Sequence, residues 1–119
     1  MIIVTGGAGF IGSNFILRWL EKFDEDILNI DNLSYAADLN NLKDIEHNLN
    51  YSFKKLNIQN QDEITTLILE SKPRAILNFA AESHVDRSIE GPENFINSNI
   101  VGTYSLLEAS LQYLSLIHI

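Results

Sequence analysis

Thr5-Gly6-Gly7-Ala8-Gly9-Phe10-Ile11-Gly12 decides the reading of this chain. Its glycines at 6, 9 and 12 stand between a short β-branched run, Ile2-Ile3-Val4, and an apolar stripe of Ile11, Phe15, Ile16, Trp19, Leu20 and Phe23. Spacings of three and four in that stripe predict a helix from Gly12 to about Lys22. A strand that feeds a helix through such a turn can cradle a phosphate. Gly6 permits the tight turn, Gly9 lets backbone N–H groups approach a pyrophosphate, and Gly12 allows the helix to pack closely on the sheet. The helix N-terminus adds unpaired N–H donors and about half a positive charge. Ile27-Leu28-Asn29-Ile30 predicts a second strand ending at Asp31, whose carboxylate is placed to accept hydrogen bonds from adenosine ribose hydroxyls and to repel a 2′-phosphate. The expected cofactor is therefore NAD rather than NADP. The alternatives are a glycine-rich turn without a ligand and an aspartate that only caps a turn.

Outward from this loop, β-branched runs alternate with helical stretches. The polar segment from Asn32 to Asn50 carries a weak helical spacing in Leu39, Leu42 and Ile45 and reads as a loop with a short helix. Tyr51 to Ile58 predicts a third strand, Gln61 to Ser71 a helix carrying Ile64, Leu67 and Ile68, and Ala75 to Phe79 a fourth strand. A last helix starts near Pro92, a residue suited to a first helical turn, and carries Phe95, Ile96, Ile100, Val101, Leu106 and Leu107. The order β-α-β-α-β-α-β-α predicts an α/β fold: a doubly wound parallel sheet of Rossmann type, truncated after about four strands of the usual 3-2-1-4-5-6 order.

With 119 residues there is room for one domain at most. Apolar residues at 45% and charged ones at 20% make an ordinary globular balance and exclude a disordered chain. Eight Lys and Arg against sixteen Asp and Glu leave a net charge of −8, which disfavours binding to nucleic acid or an anionic membrane. A phosphate ligand then needs local donors, which the glycine loop supplies. The absence of cysteine excludes disulfides, thiolate metal sites and a Cys nucleophile, and no metal is expected. No apolar run approaches the roughly 18 residues of a membrane span, so a soluble, cytoplasmic protein is expected.

The GxxGxxG spacing resembles that of extended short-chain dehydrogenases/reductases. Downstream, Asp31-Asn32-Leu33-Ser34-Tyr35-Ala36, the run from Asn78-Phe79-Ala80-Ala81-Glu82-Ser83 through His84-Val85-Asp86-Arg87-Ser88-Ile89, and Asn99-Ile100-Val101-Gly102-Thr103 closely resemble the dTDP-glucose 4,6-dehydratase family. The resemblance covers roughly residues 1 to 113. It implies NAD, the substrate dTDP-glucose, and a parent enzyme that is a homodimeric lyase. Such an enzyme oxidises the sugar at C4, removes water across C5 and C6, and returns the hydride to C6, giving dTDP-4-keto-6-deoxyglucose, a precursor of rhamnose and other deoxysugars. Carried over residue by residue, the resemblance places Gly6, Gly9, Phe10, Ile11 and Gly12 at the pyrophosphate and Asp31, Asn32, Leu33 and Ser34 in the adenosine pocket. Asn57 and Ile58 stand where the family has an Asp-Ile pair against adenine; Asn57 keeps an acceptor and loses the charge. Phe79, Ala80, Ala81, Glu82 and Ser83 pass along the nicotinamide side, Ser83 also touching the sugar, and Ser98 keeps the hydroxyl of a threonine found in relatives. A nucleotide-sugar epimerase or decarboxylase, and a non-catalytic NAD-binding module, are the alternatives.

Several tempting residues have plainer readings. His84 beside Asp86 and Arg87 could be drawn as a base with its orienting carboxylate, but His84 to Ser88 more simply shapes the rim of the site. Asp62 and Glu63 open a helix, where carboxylates suit the dipole. Asp24, Glu25 and Asp26 read as a solvated turn, His47 as a solvated side chain, and Trp19 with the helical phenylalanines as core. The YxxxK pair that carries proton transfer in the family is not found. Tyr51 and Lys55 have the spacing but fall in a predicted strand, where four residues span roughly 13 Å rather than one helical turn. No catalytic residue is assigned within these residues, and the chain alone is expected to be inactive.

The last six residues, Leu114-Ser115-Leu116-Ile117-His118-Ile119, do not continue the resemblance. They are what CTG TCT CTT ATA CAC ATC encodes, the mosaic end that transposon-based library preparation attaches to DNA. The expectation is an N-terminal part of a cofactor domain over 1–113 and an adaptor-encoded tail over 114–119, the alternative for the tail being a genuine apolar helix end.

Overall fold

The structure, a computed structural model, describes residues 1–33, 37–80 and 92–117. Ile2, Ile3 and Val4 are wholly buried, as befits a strand covered on both faces in a parallel sheet. This strand, β1 (Ile2–Thr5), lies between β2 (Ile27–Asp31) and β4 (Ala75–Asn78), with β3 (Tyr51–Lys55) outside β2, and every pairing is parallel. Ile2 stands opposite Ile27 and Ala75, and Thr5 opposite Ile30 and Asn78, so the carboxyl ends of β1, β2 and β4 finish within a residue of one another. The order β3-β2-β1-β4 puts β1 where the winding reverses, the point at which a doubly wound sheet opens a crevice.

The chain divides into two compact units, one made of Met1–Leu56 and Pro73–Ala80, the other of Asn57–Lys72 and the residues from Ala81 onward. In the first, the helix α1 (Phe10–Lys22) presents Ile16 to Ile2, Val4, Ile27 and Leu42, and these five make its core. Each such side chain contributes about 1.5–3 kcal/mol by leaving water. Around them Phe79, Phe15, Trp19 and Phe23 form a run of tilted rings with centroids 5.5, 5.6 and 4.4 Å apart; Phe15 and Trp19 pack on the core, as expected, whereas Phe23, at the C-cap of α1, is half exposed.

Between β2 and β3, the short helix expected from the weak spacing is found as 3₁₀ helix over Leu39–Ile45, kinked at Leu42. Leu42 leaves helical geometry (φ −116°, ψ 15°) and kinks the segment, and it is the one of Leu39, Leu42 and Ile45 driven into the core. The third strand ends at Lys55 instead of Ile58. After Leu56 the Asn57 carboxamide accepts from the Gln59 N–H (3.0 Å), and its carbonyl accepts from the Asn60 N–H (3.0 Å), so a turn replaces the ladder.

In the second unit, α2 (Gln61–Ser71) is capped by Asn60, whose Oδ1 accepts from the Glu63 N–H at 3.3 Å, and Asp62 and Glu63 sit in its first turn, as expected. The expected last helix has three parts: α3 (Pro92–Phe95), a π-helical stretch (Ile96–Val101) and α4 (Gly102–Ile117). Ile64, Leu67 and Ile68 of α2 are buried, as are Ser105, Leu106 and Ala109 of α4, which packs against α2. The opposite side of α4 leaves Tyr104, Leu107, Leu111 and Leu114 exposed. Among the described residues, no helix is long and apolar enough to cross a membrane.

Candidate functional site

At the carboxyl end of β1 the chain must turn at once into α1. The Gly6 N–H donates to the Ile30 carbonyl (2.8 Å), and Gly6 itself has φ +71°, a left-handed backbone in which a side chain is strained. A β-carbon there would also run into the Phe79 and Ala80 backbone. This is the tight turn expected of Gly6. The role expected of Gly12 differs in its target: a β-carbon on Gly12 would strike the Gly6 carbonyl and the Gly7 Cα, so its bareness seats the first turn of α1 on the loop itself. Close approach to the sheet belongs to Gly7, which lies against the Asn29 side chain and Ile16. Among the described residues, only the Gly6 carbonyl comes near a β-carbon placed on Gly9, at 3.4 Å.

The start of α1 carries neither a side-chain cap nor an acid of its own. Gly9 is its N-cap and gives no side-chain bond, and no acidic residue stands in the first turn. The N–H donors of a first helical turn lack intrahelical partners, so this end is electropositive and open to an anion. Phe10 and Ile11, expected at the pyrophosphate, are 81% and 68% exposed here, large apolar side chains held out at the mouth of the loop.

Asp31, at the end of β2, is 7% exposed and holds this loop. Its Oδ2 accepts from the Ala8 N–H (2.9 Å) and its Oδ1 from the Leu33 N–H (2.7 Å). Asp31 thus makes the strand-end turn that was its alternative reading, while each carboxylate oxygen retains a lone pair for a ribose hydroxyl. Leu33 lies at φ +57°, left-handed without being glycine, a conformation that the Asp31 bond compensates. Asn32 is exposed beside it.

Three side chains to which the sequence reading gave no role, Asn29, Thr5 and Asn78, complete the loop's support. Asn29, wholly buried in β2, accepts from the Gly7 N–H (3.1 Å) and donates to the Tyr51 hydroxyl (3.1 Å), whose pKa is pushed up by burial. Thr5 donates to Asn78 Oδ1, which also accepts from the Ala80 N–H (3.0 Å), while the Phe79 N–H reaches the Thr5 carbonyl (2.8 Å). A polar residue inside an otherwise apolar strand was the available signal for Asn29, since a buried amide needs partners.

The structure therefore brings Gly6, Gly9, Phe10, Ile11, Gly12, Asp31, Asn32, Leu33, Phe79 and Ala80 to the carboxyl ends of β1, β2 and β4. The Phe79 ring packs on Phe15, so it faces the core. Asn57, Ile58 and Ser98 belong to the second unit. There Ile58 is buried against Gly102, and Ser98 lies in the π-helical stretch. Ser34, Ala81, Glu82 and Ser83, with His84, Asp86, Arg87 and Ser88, lie outside the described residues. Far from the loop, Glu25 is not the solvated acid expected: it pairs with the Met1 amino group (3.2 Å) and with Arg74 (2.6 and 2.8 Å). The Arg74 guanidinium holds its pKa down to about 2.

A parallel sheet in the order 3-2-1-4, with a glycine turn and an uncapped helix at the end of its first strand, defines the mononucleotide-binding half of a Rossmann-type fold. The family model described as GDP-mannose 4,6 dehydratase matches residues 3–117, and the chain belongs to that family. It is 46% identical over 114 residues to the dTDP-glucose 4,6-dehydratase of Salmonella typhimurium, covering 96% of this chain and 32% of that protein. Among solved structures, a double mutant of the Streptomyces venezuelae dTDP-glucose 4,6-dehydratase with NAD bound matches with a TM-score of 0.89 and 34% identity, over 95% of this chain and 36% of that one. The UDP-Glc/GlcNAc 4-epimerase of Campylobacter jejuni matches with a TM-score of 0.85 and 30% identity, over 94% and 33%. The chain spans about a third of the length of the curated relatives it matches.

Proposed function

We propose that this chain is the NAD-binding N-terminal part of a dTDP-glucose 4,6-dehydratase acting in the cytoplasm. The observation that carries the reading is the start of α1: an uncapped helix end, reached through Gly6 and Gly9 and flanked by the Asp31 carboxylate. These residues fit a dinucleotide. The N–H groups of the first turn of α1 would hold the pyrophosphate, with Gly9 leaving room for it, and Asp31 would accept from the ribose hydroxyls. Its negative charge would disfavour a 2′-phosphate. When bound, NAD supplies reversible uptake of a hydride; what these residues do is orient it.

Fold likeness does not separate dehydratase from epimerase, since structures named for both match well. Sequence does favour the first: relatives at 43–51% identity carry the dTDP-glucose 4,6-dehydratase name. In the full-length protein, dTDP-glucose is expected to give a product lighter by one water in mass spectrometry. A product of unchanged mass would overturn the dehydratase reading in favour of an epimerase. A homodimer is part of the same proposal. It is supported by the exposed face of α4, where Tyr104, Leu107 and Leu111 recur at spacings of three and four that suit pairing of helices.

A further inference from the structure

The peptide between Ala8 and Gly9 is held from more sides than a turn requires. Ala8 is wholly buried. Its N–H goes to Asp31 (2.9 Å), while its carbonyl accepts twice, from the Asp38 N–H (3.0 Å) and from Asn41 Nδ2 (3.1 Å). The Gly9 N–H, at the other end of the same peptide plane, donates to the Gly6 carbonyl (3.2 Å). Both donors to the Ala8 carbonyl come from the segment after β2, and that segment is itself braced. Asp38 Oδ1 accepts from the Asn40 N–H (2.9 Å), the Asn41 N–H donates to the Asp38 carbonyl (3.1 Å), and Leu42, next to Asn41, is 2% exposed in the core.

We propose that Asn41 is a positioning residue for the phosphate loop: its side-chain amide holds the Ala8 carbonyl and so keeps the Ala8–Gly9 peptide from turning its oxygen toward an incoming pyrophosphate. The physical reason is one of sign. A helix N-terminus attracts an anion through aligned N–H groups, and a single carbonyl rotated among them would cancel part of that attraction. A carbonyl satisfied by two donors has little to gain by rotating. Asn41 touches no ligand in this scheme; it acts through the loop. The inference rests on the NAD reading above.

The test uses the full-length protein and three ligands, NAD, ADP-ribose and adenosine, the last of which lacks the pyrophosphate. Asn41→Leu removes the donor at similar size and without a charge. It is expected to weaken NAD and ADP-ribose about three- to tenfold, the range of one lost hydrogen bond, and to leave adenosine unchanged. Asn41→Gln, which keeps the amide, is expected to recover most of the affinity. Asn41→Asp, an isosteric swap of donor for acceptor, is expected to weaken ADP-ribose more than Asn41→Leu does and serves if the leucine variant does not fold. Equal affinities in wild type and Asn41→Leu, or equal weakening of adenosine and ADP-ribose, would overturn the proposal alone. A wild-type protein that binds none of the three overturns the NAD reading with it.

Discussion

The two ends of the first unit's sheet solve the same problem with different chemistry. At the carboxyl ends of the strands, loop N–H and carbonyl groups are met by fixed partners: Asn29, Asp31, Asn41 and Asn78. At the amino ends, one charge meets another: Glu25 joins the Met1 amino group and Arg74, whose own side chain is 63% exposed. The first arrangement holds backbone groups by directed hydrogen bonds; the second ties segments together with an interaction that water and salt weaken. Binding an anion by backbone dipoles needs the former, because misaligned N–H groups attract little. Closing the base of a sheet needs only the latter.

The comparison breaks most sharply at Gly6. Gly6→Val would force a β-branched residue to φ +71° and drive its side chain into the Phe79 and Ala80 backbone. Left-handed strain of about 1–2 kcal/mol and overpacking of about 1–3 kcal/mol should together lower stability in urea unfolding of the full-length protein. NAD binding, followed by calorimetry, should be lost with it. If the variant binds NAD as wild type does, the loop is not the anchoring element proposed here.

Asn29→Leu probes the same end from beneath. It would leave the Gly7 N–H and the Tyr51 hydroxyl without their buried partner, at a cost of about 1–3 kcal/mol in denaturant unfolding. Tyr51→Phe removes only the far member of this relay and is expected to cost less. An equal loss in the two variants would mean that Tyr51, not the loop, is what Asn29 serves.

Much of this end was legible in the sequence because glycine and aspartate announce themselves by type. The turn at Gly6, the helix after it and the strand that ends on Asp31 follow from local rules. What escaped was pairwise: that Gly7 rather than Gly12 meets the sheet, that Asn29 holds Gly7, and that Asn41 reaches back to Ala8 across 33 residues. Such partners are chosen by tertiary proximity, which no local pattern encodes. Leu39, Leu42 and Ile45 show a different loss: their period of three was visible, but a short run fits a weak α-helix as readily as a 3₁₀ turn until one member is seen in the core. Asn57 shows a third, since β-branched and aromatic neighbours extended the predicted strand past the residue whose own side chain ends it.

The smallest effect belongs to the amino end and is set by pH. Glu25 has a folded pKa of about 2 against an ordinary 4.5, lowered first by its bonds to Arg74 and then by the Met1 amino group. A carboxylate held down in this way contributes stability that is fully present above the unfolded value and is lost as pH falls from about 4.5 through about 2. Thermal midpoints of the wild-type protein should therefore drop across that window, and Glu25→Gln should flatten the drop while lowering the midpoint modestly at pH 7, by the small contribution of a solvent-exposed ion pair. Raising the salt should shrink the difference between the two proteins at pH 7, because the Arg74 side of the pair lies open to solvent. NAD affinity should be the same in both, since no bond of the phosphate loop involves Glu25 among those described. A Glu25→Gln protein that loses NAD affinity would show instead that the two ends of the sheet are coupled, and that the division drawn between a geometric end and an electrostatic one is too clean.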